Sequence, residues 1–379
     1  MSVWAARQLI DIAIPTGIDA SEIFRIQMQQ GMTLTEIIQG AVAVINDVNN
    51  ELALQYGGLY VFTERLYARY RNGDGGGRQM SAIGTELSNP DGQRAKHIGH
   101  MLPLLPYVDA TEWSVAYLKK ALREDLRDDI KFVAERWRNR LDFGVITRML
   151  SKKENQIGSS GWDVGWSIGT GTNVNFVPPP YAAYEHTSSH THYLRTDAAI
   201  SSTNAATMLE LAAQELSHHG HSGRKVALVS EANLGIYLGM DSKKLMVWKP
   251  SDFQPITGGS NALMVAEGEL KGIPGELFAR YHTNYGVIDL RYHPRIPAGY
   301  GWMGKSYGDN NPANPLAIRL EMGGGFGMRV NPQIDRSLVP KLDKLKFEAE
   351  HGVGVNDRTN GVAFQIAAGS SSYAEPEIS

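Results

Sequence analysis

The chain has 379 residues, 42% of them hydrophobic and 20% charged, with a formal net charge of -3. That is ordinary globular composition, long enough for two or three domains or for one core with long excursions, and it lacks the basic surplus of a strong nucleic-acid binder. There is no cysteine, which excludes disulfides, thiolate metal sites, iron–sulfur clusters and cysteine nucleophiles. No apolar run approaches the roughly 18 residues that read as a membrane span. The opening MSVWAARQLIDIAIPTG lacks the basic start and apolar core of a secretory signal, so a soluble, unsecreted chain is expected.

Residues 1–32 carry no strong periodicity and read as an extended arm. Thr33 and Glu36 have capping-box spacing. Leu34, Ile37, Ile38, Ala41, Val42, Ile45 and Val48 then form one helical stripe that should end before Gly57 and Gly58. Residues 59–72, rich in aromatic and branched side chains, read as a strand leading to the glycine tip at 73–77, with a polar return to about Val108. A two-stranded excursion this long usually serves a partner or a function.

From Val115 to Leu150 a long helix is expected, with Leu122, Leu126, Ile130, Val133, Trp137, Leu141 and Val145 on one face. Its acids come first (Glu124, Asp125, Asp128, Asp129) and its bases last (Arg136, Arg138, Arg140, Arg148), which complements the helix dipole. Residues 151–200 look irregular. A second helix is expected over 203–218 (Ala206, Leu209, Leu211, Ala212, Leu216), then a buried strand at Lys225–Ser230 and a short helix through Leu238. Residues 261–303 read as strands separated by turns. A last strand pair is expected at Phe347–Val355 and Gly361–Ala367, with Asn356–Asn360 as its turn and a loose polar tail after it. The mixed element order is that of an α+β protein.

Three motifs carry chemistry on paper. Gly299–Ser306 (GYGWMGKS) matches the phosphate-loop pattern. It is followed by YGDNNPANP, which cannot open the helix whose N-terminus would hold the anion, and Tyr300, Trp302 and Met303 would crowd a phosphate. Histidines cluster as His186, His190 and His192, and again as His218, His219 and His221. Neighbouring imidazoles are candidate zinc or nickel ligands, but no H-E-x-x-H motif occurs, and a helix C-terminus gives the second group a structural reason to exist. The expectation drawn is no catalytic, cofactor or metal site. Gly169-Thr-Gly171 lacks the third glycine of a dinucleotide fingerprint.

The closing segment FEAEHGVGVNDRTNGVAFQI (347–366) resembles the last strands of tailed-bacteriophage major capsid proteins, which have the Hong Kong 97-type fold. KVALVSEANLGIYL (225–238) and GVIDLRYHPRIPAGY (286–300) resemble elements of that family's axial domain. The resemblance implies an N-terminal arm (1–32), a discontinuous peripheral domain (33–58, 109–200 and 331–379, with its spine helix at about 115–150), an extended β-hairpin loop (59–108) and an axial domain (201–330). It implies a non-enzymatic major capsid protein without cofactor. Such a protein assembles with itself as hexamers and pentamers into an icosahedral virion shell in the host cytoplasm. Its other partners would be a portal protein at one vertex, a separate scaffolding protein or none, decoration proteins where present, and nonspecifically held double-stranded DNA, with no membrane. A basic inward patch would come from Arg65, Arg69 and Arg71 or from the arm. With about thirty residues before the first helix, no cleaved leader is expected. Some members join subunits by a lysine–asparagine isopeptide bond, for which Lys96, Asn356 and Asn360 are the candidates. Two other readings stay open: the shell of an encapsulin-like nanocompartment, and a metal- or nucleotide-dependent enzyme.

Overall fold

The computed structural model describes residues 34–71, 97–118, 120–156, 162–167, 176–182, 184, 186, 190–247, 272–335 and 342–378. The arm, the Thr33 cap, the excursion tip with its glycines, and Lys96 lie outside them. In chain order the elements are α1 (Leu34–Tyr56), β1 (Tyr60–Thr63), β2 (Tyr67–Arg71), β3 (His97–Met101), β4 (Leu105–Ser114), α2 (Val115–Leu118), α3 (Arg123–Leu150), β5 (Asn155–Gln156), β6 (Trp162–Asp163) and β7 (Tyr193–Thr196). They continue with α4 (Ser202–His218), β8 (Lys225–Ser230), α5 (Leu234–Leu238), β9 (Leu245–Val247), β10 (Glu276–Thr283), β11 (Gly286–His293), β12 (Tyr300–Gly304), β13 (Leu316–Leu320), β14 (Arg329–Asp335), β15 (Leu342–Val355) and β16 (Val362–Ile366). No helix among the described residues is long and apolar enough to cross a membrane.

The chain divides into two compact units. One is drawn from Met1–Glu51, Pro106–Arg140 and Phe326–Glu350, the other from Leu52–Leu105, Leu141–Gly325 and His351–Ser379. In the first, β14 runs antiparallel to the early part of β15, with Arg329 opposite Glu348. Asn49 of α1 mimics a strand edge there: its Nδ2 donates to the Met328 carbonyl at 2.9 Å and its Oδ1 accepts from the Met328 N–H at 3.0 Å. The indole of Trp113 donates to Asp129 at 2.8 Å, fixing β4 against the first turns of α3.

The expected long helix is broken. Ser114 accepts from the Tyr117 N–H and caps the short α2, and Asp125 accepts from the Leu122 N–H just before α3 starts. Leu122 therefore precedes the helix and is exposed, whereas Leu126, Ile130, Val133, Trp137, Leu141 and Val145 are all buried. The stripe holds from its second member onward.

In the second unit the core lies between α4 and a seven-stranded mixed sheet of order β7-β16-β12-β8-β11-β10-β9. Ser201 caps α4 by accepting from the Asn204 N–H at 3.2 Å. Ala205, Met208, Leu209, Ala212, Ala213 and Leu216 then pack on Val229, Ile288, Leu290, Met303, Val362 and Phe364. Leu211, expected in that stripe, is instead exposed. Central strand β8 is buried on both faces, parallel to β11 and antiparallel to β12. Asp289 on β11 is fully buried between Arg224 (2.5 Å) and Arg280 (3.1 Å).

The two closing strands do not form a hairpin. The end of β15 pairs with β13, placing Ile318 opposite Val353, and β13 runs parallel to β1. Strand β16 instead enters the seven-stranded sheet between β7 and β12. Asn356–Asn360 is thus a crossover between sheets. The polar tail is docked as well: Tyr373 donates to the Leu150 carbonyl at 2.7 Å, and Glu375 accepts from the Lys153 N–H at 2.7 Å. Arg195 donates to the Ser372 carbonyl at 2.8 Å and Gln365 accepts from the Ala374 N–H at 2.9 Å, so a segment whose composition reads as loose is held along its length.

The base of the excursion is a two-stranded ribbon, β2 with β3, Tyr67 opposite Met101 and Arg71 opposite His97. His100 is buried in it, and burial, followed by the Arg358 and Arg148 guanidinium charges, lowers its pKa to about 3. A depressed histidine pKa stabilises the fold fully above the unfolded value of about 6.5 and loses that contribution as pH falls toward the folded value. Between pH 6.5 and 4 the His100→Gln variant should lose less stability than the parent, by about 1.4 kcal/mol per pH unit. Parallel slopes for the two in pH-resolved urea unfolding would show that His100 does not titrate in this way.

Candidate functional site

The phosphate-loop pattern is strand, not loop. Tyr300–Gly304 is β12, hydrogen-bonded to β8 on one side and β16 on the other. Lys305 donates to the Ser222 carbonyl at 2.6 Å and lies over the Tyr307 ring, and Ser306 donates to the Gly58 carbonyl at 2.5 Å. No helix follows. The lysine and serine that would serve a nucleotide are occupied in joining turns.

The isopeptide candidates are also occupied. Asn356 donates to the carbonyls of Pro312 (2.7 Å) and Asn314 (2.8 Å). Asn360 is fully buried, accepting from the Lys305 N–H and donating to the Lys305 and Ala313 carbonyls. Between them Arg358, 1% exposed, donates to the Gly165 and Trp166 carbonyls and to Glu154 at 2.9 Å, with Phe176 against its guanidinium. This crossover is a packed polar core. Of the expected inward charges, Arg65 and Arg69 are exposed.

The histidines regroup. The segment leading into β7 brings His190 and His192, the last turn of α4 brings Glu215, and the C-cap of α4 brings His219, four residues after it. Their inward atoms (three Nε2 and Glu215 Oε1) lie within hydrogen-bond or ion-pair range of one another. His190 Nε2 is 2.6 Å from Glu215, 2.9 Å from His219 Nε2 and 3.3 Å from His192 Nε2. His192 Nε2 is 3.0 Å from His219 Nε2. Glu215 is 3.6 Å from His219 and 3.7 Å from His192.

His192 is fully buried, and its Nδ1 donates to the Gly361 carbonyl at 2.8 Å. His186 stacks on His219 and His190 at 4.4 and 5.0 Å. Burial, then the neighbouring imidazole of His219, pushes His192 well below its ordinary value. Burial likewise lowers His219, and lowers His186 to about 4. Burial alone would raise Glu215, but hydrogen bonds to His190 and His219 hold it well below the usual carboxylate range. The other two histidines turn away: His218 stacks on Tyr184 at 3.9 Å, and His221 bonds Tyr307 and Thr359. In the sequence the two histidine clusters are separate, and nothing there joins Glu215 to the first of them. The signal for it in the sequence is a carboxylate four residues before His219, at the end of α4.

No protein family matches the chain, and no curated protein does. Solved structures do. A structure from Mycobacterium phage Patience superposes with a TM-score of 0.59 at 17% identity over 92% of each chain. The mature capsid of bacteriophage PhiM1 matches at a TM-score of 0.47 and 10% identity, covering 82% of this chain and 86% of that one. The holo-SrpI encapsulin complex from Synechococcus elongatus matches at 0.43 and 9%, covering 83% and 89%. The likeness to the Patience structure, joined to the mixed α+β element order, makes this chain a protein of the Hong Kong 97-type fold.

Proposed function

We propose that this chain is a major capsid protein, a shell subunit of a tailed virus without enzymatic activity. The observation that carries the reading is the fold likeness, end to end, to the structure from Mycobacterium phage Patience. Subunits join as hexamers and pentamers into an icosahedral shell around double-stranded DNA, with a portal protein at one vertex and separate scaffolding and decoration proteins as further partners. In this reading residues 201–330 form the axial domain, with β7 and β16 added to its sheet. Residues 33–58, 109–200 and 331–379 form the peripheral domain, without β7 and β16. The arm (1–32) and the loop (59–108) reach across neighbouring subunits.

Net charge supports only mild, nonspecific contact with DNA, through local groups such as Arg65 and Arg69. Purified particles are the test. Nuclease-protected double-stranded DNA inside them is the expected content. A protein cargo in its place would replace the virus by a nanocompartment.

A further inference from the structure

We infer that His190, His192, Glu215 and His219 form a structural site for a tetrahedral divalent cation of the zinc class. Zinc binds imidazole nitrogen and carboxylate oxygen at about 2.0–2.2 Å, so the edges of its ligand tetrahedron are about 3.3–3.5 Å. The six edges here run from 2.6 to 3.7 Å and bracket that length. Adjusting each pair by at most about 0.7 Å therefore places all four atoms around one central point.

Hydrogen bonding alone serves this cluster poorly. A carbonyl can only accept, so the Gly361 contact requires the proton of His192 on Nδ1, and in the neutral ring that leaves its Nε2 a bare lone pair. Glu215 also presents lone pairs. Only His190 and His219 can bring an N–H inward, so at most two of the six contacts are hydrogen bonds. A single cation satisfies all four atoms. The Gly361 carbonyl is then the outer partner that orients a ligand ring, the usual companion of a metal-bound histidine.

Four protein ligands close the coordination sphere. Closed sites are structural, whereas catalytic zinc keeps an open position. The site is partly accessible: the side chains of His192 and His219 are 0% and 1% exposed, but those of His190 and Glu215 retain 28% and 23%. The ion would staple the segment before β7 to the end of α4 and, through Gly361, to the start of β16. This claim is independent of shell formation, and either can fail without the other.

The test uses the full chain without a histidine tag, stripped with chelator and titrated with Zn2+ alone. The expected result is about one zinc per chain by elemental analysis after gel filtration. A rise in melting temperature that chelator reverses should accompany it, and Co2+ in place of zinc should give the intense visible bands of a tetrahedral ion. His190→Ala and Glu215→Gln alter the more exposed ligands and should fold. Each should weaken zinc by at least about 100-fold, the upper end of what loss of an outer-shell partner costs. Absence of bound zinc in the parent, or unchanged affinity in both variants, would overturn the assignment.

Discussion

Arg358→Ala is expected to destabilise the folded chain by about 3–5 kcal/mol, the cost of leaving one member of a buried ion pair unpartnered. Arg358 and Glu154 are 1% and 3% exposed, so solvent cannot replace the lost partner. The same guanidinium also holds the Gly165 and Trp166 carbonyls, which would lose their charged donor. The paired change Arg358→Met with Glu154→Leu removes both charges and should recover part of the loss. Chemical denaturation gives both numbers. A cost under about 1 kcal/mol for Arg358→Ala would put the pair in the class of exposed salt bridges and contradict the burial described.

Gly352→Val should be comparably damaging for a steric reason. A Cβ at Gly352 would sit 1.8 Å from the Pro103 carbonyl oxygen and 2.3 Å from its carbon. Both obstacles are backbone, so no rotamer change relieves them, and two residues on, a Cβ at Gly354 would meet Leu102 at 2.7 Å. Alternation along β15 puts these two glycines on one face, where the chain leaving the β2–β3 ribbon lies flat against the strand. Overpacking costs about 1–3 kcal/mol where side chains can yield, and here the strand or the ribbon base must move. A Cβ added at Gly144 of α3 would meet the intervening Val353 at an ordinary 3.6 Å, so Gly144→Ala should be neutral or stabilising by up to about 1 kcal/mol. Equal melting temperatures for Gly352→Val and the parent would refute the close approach.

The G-V-G-V run shows what was legible in the sequence and what was not. Its strand character, and the apolar stripes of α1, α3 and α4, follow from period and composition. The partners of β15 and β16 do not. Residues 347–355 and 361–367 look like a hairpin because five turn-forming residues separate them. The outcome was decided by Arg358 and Asn360, whose bonds run to distant segments and turn the stretch into a crossover. Strand β16 is buried throughout, with a parallel neighbour, β7, that lies far away in sequence, and no local signal encodes such a pairing. The break before α3 was missed because Leu122 continues the four-residue spacing, while the competing signals were single side chains, Ser114 and Asp125. The histidine site has the same character. Each half was visible as a cluster, but convergence depends on α4 ending beside the entry to β7.

Shell formation is the central claim, and electron microscopy of the expressed chain tests it most directly. Closed particles with pentamers at the vertices and hexamers between them are the predicted result, formed by the chain alone or with its scaffold. A chain that stays monomeric under both conditions would contradict the account.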